Sequence, residues 1–289
     1  MRVRPGFRDY REPSAGRSVR VRARRRMRIA AAQLAARADE DRVVLLRNGT
    51  ILLDGASSFD PETPSAARYV DVLAGEMARR VSETSDLKTA LAESLIAVSQ
   101  QLDLRPGKSP SSTVAVARVG ERTLDVLVLG DSAIVVGLKD GSCRIFLDDR
   151  LAALELPEAG QYITRLRSGG GYDDTHRAIL QRLQRRQLHM RNRPGGYWIA
   201  ESEPAAAHEA ITAGFPLYAV SWVISATDGA FDLLPVTGLD WQEIARMSNA
   251  ELHDLLVRLR RWESDVDPNG RRLPRSKQHD DKSIAVVDL

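Results

Sequence analysis

SSTVAVARVGERTLDVLVLGDSAIVVGLKDGSCRIFL, residues 111–147, reads as four short strands in succession. The runs at 113–119, 123–129, 133–138 and 142–147 are rich in Val, Ile and Leu, and each break between them carries a glycine. Branched side chains pack well on a pleated surface, and glycine accepts the backbone of tight turns, so the spacing predicts an antiparallel meander. Upstream the period changes. Tyr69, Leu73, Met77 and Val81 recur at helical spacing. A second stripe runs through Leu87, Leu91, Leu95, Val98 and Leu102, with Ser85 or Asp86 as N-cap and Arg105-Pro106-Gly107 as the stop. Before these helices, apolar runs at 42–47 and 50–54 flank Asn48-Gly49, a hairpin signal.

Downstream, residues 150–196 are rich in Arg and Gly and poor in large apolar residues. They predict an irregular flap containing one helix over 175–190, with Ile179, Leu180, Leu183 and Leu188 facing inward. A buried strand over 218–227 ends at Asp228-Gly229. Amphipathic helices follow in 240–263, with Leu252, Leu255, Leu256, Leu259 and Trp262 as their stripe. A polar loop then leads to a last strand over 283–287. Strands, helices and strands again, largely hairpin-connected, define an α+β layered sandwich.

Composition narrows the function classes. The chain has 289 residues and a net charge of +3, but ten arginines against Asp9 and Glu12 give residues 1–26 a charge of +8, leaving −5 for the rest. This basic arm lacks apolar periodicity and is expected to be disordered outside a single body over 27–289. Met27 is an alternative start, which would make the arm a mis-assigned extension. Arginine supplies 37 of the 42 basic residues chain-wide, so its abundance in the arm carries little functional weight, and the acidic body argues against a nucleic-acid binder. One cysteine, Cys143, excludes an intrachain disulfide framework. No apolar run reaches the ~18 residues of a membrane span, so a cytoplasmic protein is the default.

Four apolar runs carry Asp at one end: ILLDG (Asp54), VLVLGDS (Asp131), VISATDG (Asp228) and DDKSIAVV (Asp280 and Asp281). A fifth acidic group, Asp39-Glu40-Asp41, sits just before the first strand, the apolar run at 42–47. Side chains at strand ends can converge on one edge of a sheet. Carboxylates packed there repel unless a cation neutralises them, and hard oxygen donors suit Mg²⁺ or Mn²⁺. The plainer reading of each Asp-Gly pair is a turn.

The ordered set Glu-Asp, LLDG, SSTVAVARV, VLGDS, ISATDGAFDLL and DDKSIAVV resembles the metal-dependent protein phosphatases (PPM, or type 2C serine/threonine phosphatases) of bacterial type. The resemblance runs from about Asp39 to the C-terminus. It implies an αββα sandwich of two antiparallel sheets flanked by helices, and hydrolysis of phosphoserine or phosphothreonine on a phosphorylated protein substrate. It further implies that Asp54 bridges two Mn²⁺ or Mg²⁺ ions with the Gly55 carbonyl on one, and that Asp228 and Asp280 hold the other. Asp131 would serve a third ion together with Asp228, and Glu40 and Asp41 would act through bound waters. Arg37 is the candidate phosphate clamp. His279, beside Asp280, is a further candidate neighbour of the ions. Ala56 stands where many eukaryotic members have a histidine acid, and Ala133 where Arg is common, so a non-catalytic type 2C-like regulatory or binding domain is the alternative.

Overall fold

A computed structural model describes residues 27–36, 39–56, 63–83 and 86–289. Arg37 and residues 1–26 lie outside the described residues. The first strand, β1 (Arg28–Leu34), is followed by the hairpin of β2 (Asp41–Leu46) and β3 (Gly49–Ala56). Two long helices come next, α1 (Ala66–Glu83) and α2 (Leu87–Leu102). Asp86 caps the second, its side chain accepting from Thr89 N at 2.8 Å.

Four strands follow: β4 (Ser111–Val119), β5 (Thr123–Leu129), β6 (Ala133–Leu138) and β7 (Cys143–Phe146). They do not form one meander. β5 and β6 belong to different sheets, so the stretch supplies two strands to each. The chain changes sheet at Gly130, whose φ of +82° suits a residue without Cβ; a Cβ there would come within 2.9 Å of the Thr113 side chain. Residues 150–190 hold three helices where the sequence pointed to one: α3 (Arg150–Ala153), α4 (Pro157–Arg167) and α5 (Asp174–Met190). Arg186 grips Glu158 at 2.8 Å and so ties α5 to α4. Ile179 and Leu183 face inward on α5 as expected, but Leu188 is exposed.

The chain closes with β8 (Ile211–Pro216), β9 (Val220–Ala226), the short α6 (Asp228–Phe231) and α7 (Trp241–Ala245), α8 (Asn249–Arg261) and β10 (Lys282–Asp288). The buried strand expected from 218 begins at 220; Tyr218 is 79% exposed in a 3₁₀ turn before it.

Two five-stranded antiparallel sheets result, ordered β1-β10-β9-β6-β7 and β2-β3-β4-β5-β8. Strand alternation sorts the core. On β3, Leu52 points between the sheets, while Ile51 and Leu53 pack under α1 and α2. On β10, Ala285 and Val287 face the sheet interface, and Ile284 and Val286 meet α8 through Leu252, Leu255 and Leu256. Period-two burial on both faces of each sheet is what a helix–sheet–sheet–helix sandwich requires.

Candidate active site

The Asp-bearing ends of the strands meet at one edge of the sandwich. Antiparallel register sets Asp41 at the start of β2 opposite Asp54 at the end of β3. β9 pairs with β10 in a register that places Ala226 opposite Ile284, bringing Thr227-Asp228 beside Asp280-Asp281. The approach is close: a Cβ on Gly229 would lie 2.2 Å from the Asp281 carbonyl oxygen, so only glycine fits after Asp228. Asp131 arrives from the sheet-changing turn between β5 and β6.

The carboxylates occupy two layers. In the deeper one, Asp41 is fully buried and accepts from Thr227 Oγ1 at 2.9 Å, while its Oδ1 has no partner. Asp281 accepts from Ala36 N and Glu40 N, both at 2.5 Å, and so fastens the link between β1 and β2 to the start of β10. The Glu40 carbonyl in turn accepts from Gly55 N at 3.1 Å. In the outer layer, Asp131, Asp228 and Asp280 line a cavity of about 440 Å³, joined by Asp232. Asp54 is close enough to Asp228 for each to shift the other's ionisation. The far wall is apolar, built from Leu151, Leu156, Tyr162 and Ile163 of the α3–α4 region, Leu183 of α5, and Leu273.

This crowding is legible in the acidities. Burial, then the charges of Asp41, Asp228 and Asp280, push Asp54 well above the usual carboxylate range. Burial and Asp280 raise Asp228. Burial, reinforced by Asp228, carries Asp131 up to about 7 and Asp232 to about 6. Burial carries Asp41 to about 7, although the nearby Ser283 and Thr227 hydroxyls oppose it. Carboxylates in one desolvated patch cannot all ionise without a compensating cation. Among the described residues, no group of three or more His, Cys, Asp or Glu side chains stands close enough together to hold a metal ion as placed. The donor set is nonetheless all oxygen, and Asp41 Oδ1 is left buried and unpartnered, which fits a hard divalent ion better than a soft one.

Three neighbours were not singled out from sequence. Asp232 stands one helical turn after Asp228 within ISATDGAFDLL, a spacing that could have found it. Lys277 Nζ bonds Asp280 Oδ1 at 2.8 Å. Two of the chain's five lysines, Lys277 and Lys282, flank Asp280-Asp281 in an otherwise arginine-rich chain, the one available signal for it. Glu263 gathers Lys282, Arg260, Arg275 and His279 around a side chain only 1% exposed. His279 is thus engaged with Glu263, at 3.1 Å.

No family profile matches the chain, and no curated protein matches its sequence. Solved structures match its fold. Serine/threonine phosphatase Stp1 from Staphylococcus aureus aligns with a TM-score of 0.56 at 12% identity, over 91% of this chain and 95% of that one. The serine/threonine phosphatase PstP/Ppp of Mycobacterium tuberculosis gives 0.53 at 17% identity, over 91% and 98%. The catalytic domain of PstP in complex with two manganese ions gives 0.55 at 16%, over 91% and 97%. The chain has the fold of the bacterial serine/threonine phosphatases, and the resemblance read from its motifs holds at the level of architecture.

Proposed function

We propose that this protein is a metal-dependent phosphatase that hydrolyses phosphoserine or phosphothreonine on proteins. The observation that carries the reading is the convergence of Asp131, Asp228 and Asp280 on one cavity edge, with Asp54 buried within reach of the charges of Asp228 and Asp280, in a fold shared with serine/threonine phosphatases. Asp54, the Gly55 carbonyl, Asp228 and Asp280 would hold two Mn²⁺ or Mg²⁺ ions, and Asp131 with Asp228 would serve a third. Glu40 and Asp41 would act on this centre through water. When bound, the ions supply an acidified water and neutralise charge on the phosphoryl oxygens.

The remaining chemistry falls to the chain. Asp41 and Asp281 hold the strand ends in place from beneath, through Thr227 and the backbone of Ala36 and Glu40. Arg37 would clamp the phosphate by its planar guanidinium. The apolar wall of the cavity would seat the residue or its neighbours and exclude bulk water. Ala56 offers no proton to the leaving alkoxide, which leaves that step to solvent.

A second reading, a non-catalytic type 2C-like domain, draws support from Ala56 and from the ammonium on Asp280. Phosphate release from a phosphothreonine peptide separates the two. Turnover with Mn²⁺ that disappears with EDTA and in Asp228→Asn is the expected result. Binding of the peptide without turnover, at saturating Mn²⁺, would establish the second reading instead.

A further inference from the structure

Lys277 sits against the carboxylate edge with its Nζ 2.8 Å from Asp280 Oδ1. The charges of Asp54 and Glu40 act on it too; against the opposing effect of burial, they and Asp280 hold its acidity on the charged side, above the ordinary lysine value. Lys277 also eases the ionisation of Asp228. The other nearby cations touch Asp280 only at its backbone: Arg260 donates to the Asp280 carbonyl at 3.0 Å and Lys282 at 3.4 Å, while Lys282 reaches Glu263 at 2.9 Å and Arg275 reaches Asp267 at 3.1 Å and Glu263 at 3.6 Å.

The loop that presents Lys277 is fixed from three sides. Asp267 accepts from the backbone N–H groups of Arg271, Arg272 and Leu273. Arg275 anchors on Asp267 and Glu263. From α5, His176 Nε2 lies 2.9 Å from the Ser276 carbonyl oxygen. The backbone at 277 is therefore held, while the side chain, 44% exposed, reaches Asp280 on a four-carbon stem. A lysine presents a compact point charge, unlike the rigid fork of arginine. It stands here in a chain that uses arginine at 37 of its 42 basic positions.

We infer that Lys277 is a built-in competitor for divalent cations: its ammonium and a metal ion contend for Asp280, so that this residue sets the metal concentration at which the centre loads. The inference rests on the metal-centre reading above. An ammonium and a dication cannot share one carboxylate oxygen without strong mutual repulsion. An ion on either oxygen of Asp280 meets the Lys277 charge at close range, so loading favours Lys277 moving off Asp280, and the wide cavity beside it gives it somewhere to go.

Calorimetric titration of the full chain with Mn²⁺ tests this, using wild type, Lys277→Met and Lys277→Arg. Lys277→Met is expected to bind Mn²⁺ about tenfold more tightly, while Lys277→Arg stays near wild type. A second readout separates competition from a general field effect. Without metal, Lys277→Met should melt about 2–4 °C below wild type, because its carboxylates lose a counter-charge. With saturating Mn²⁺ the two should melt together, because the lysine has by then left Asp280. Unchanged or weaker Mn²⁺ binding by Lys277→Met, beside a wild type that binds, would overturn the competition alone. No binding by either would overturn it together with the metal centre. Tighter binding in a protein without phosphatase turnover would uphold the competition and remove only the phosphatase reading.

Discussion

Two groups of buried acids lie close together in this fold and are handled in opposite ways. Glu263, in the turn just past α8, is 1% exposed and has Lys282, Arg260, Arg275 and His279 within 4.0 Å. Across the cavity that Glu263 lines together with Asp131 and Asp228, the cluster of those two with the deeper Asp41 and Asp54 has acids outnumbering cations, and every member is pushed toward its neutral form. A carboxylate used to hold a loop arrives with its counter-ions in the chain. The acidic edge has its charge met by the chain only in part, by Lys277 at Asp280, and on the proposed reading a ligand supplies the rest.

The largest effect expected from this contrast is at Glu263. Glu263→Ala leaves Lys282, itself 0% exposed, as an uncompensated buried charge. Urea unfolding should show a loss of about 3–5 kcal/mol. Burial already draws Lys282 below the ordinary lysine value even with Glu263 opposing. A loss under about 1 kcal/mol would mean that the loop is not held by this pair, and the contrast would fail on its structural side.

The acidic edge should respond to pH instead. Asp41 and Asp131 have folded values of about 7, above the 3.8 of a free carboxyl. The folded state therefore keeps protons that the unfolded chain releases. Their contribution to stability is greatest below pH 4 and is lost as pH rises through about 7. For Asp41 alone this is on the order of 2–4 kcal/mol. Melting with EDTA should fall between pH 5 and pH 8, and Asp41→Asn should flatten that fall. Saturating Mn²⁺ should abolish it, since a bound ion keeps the carboxylates ionised. A flat profile with EDTA would show that these acids are not crowded.

Smaller again is Asp54→Asn. Removing one of the mutually repelling charges should stabilise the EDTA-treated protein by about 1–2 kcal/mol while ending Mn²⁺-dependent turnover. Glu263→Ala and Asp54→Asn thus move stability in opposite directions, although both delete a carboxylate near the same cavity.

What could be read from the sequence follows the range of the forces involved. Strand and helix stripes are local, so α1, α2, β3, β9 and β10 were legible from periodicity, and the α+β sandwich with them. Asp54, Asp131, Asp228 and Asp280 were legible because each punctuates an apolar run. β1, RIAAAQL, was not: alanines carry little strand preference, and its place is decided by pairing with β10 more than 240 residues away. β8, ITAGFP, hides behind a glycine and a proline and lies at a sheet edge. The division of residues 111–147 between two sheets was also out of reach, because a hairpin and a sheet-changing turn look alike at the level of glycine spacing. Lys277 and the surroundings of Glu263 depend on where side chains end in space, which no local pattern encodes.

The smallest effect closes the comparison from the solvent side. Asp86 is an exposed carboxylate whose partners are donors: Thr89 Oγ1 at 2.6 Å and Thr89 N at 2.8 Å. The Thr89 side chain, followed by the backbone N–H, holds its pKa below the ordinary value. The sign is the reverse of that at Asp41. The contribution of Asp86 is present above the unfolded value of 3.8 and fades as pH falls through the lowered folded one. Asp86→Ala should cost about 1 kcal/mol at pH 7, the worth of an N-cap, and less at pH 3. Urea unfolding of Asp86→Ala and Asp41→Asn at both pH values would therefore give differences that diverge in opposite senses. Differences that moved together would mean that burial does not separate the two kinds of carboxylate, and that the acidic edge is an ordinary part of the surface.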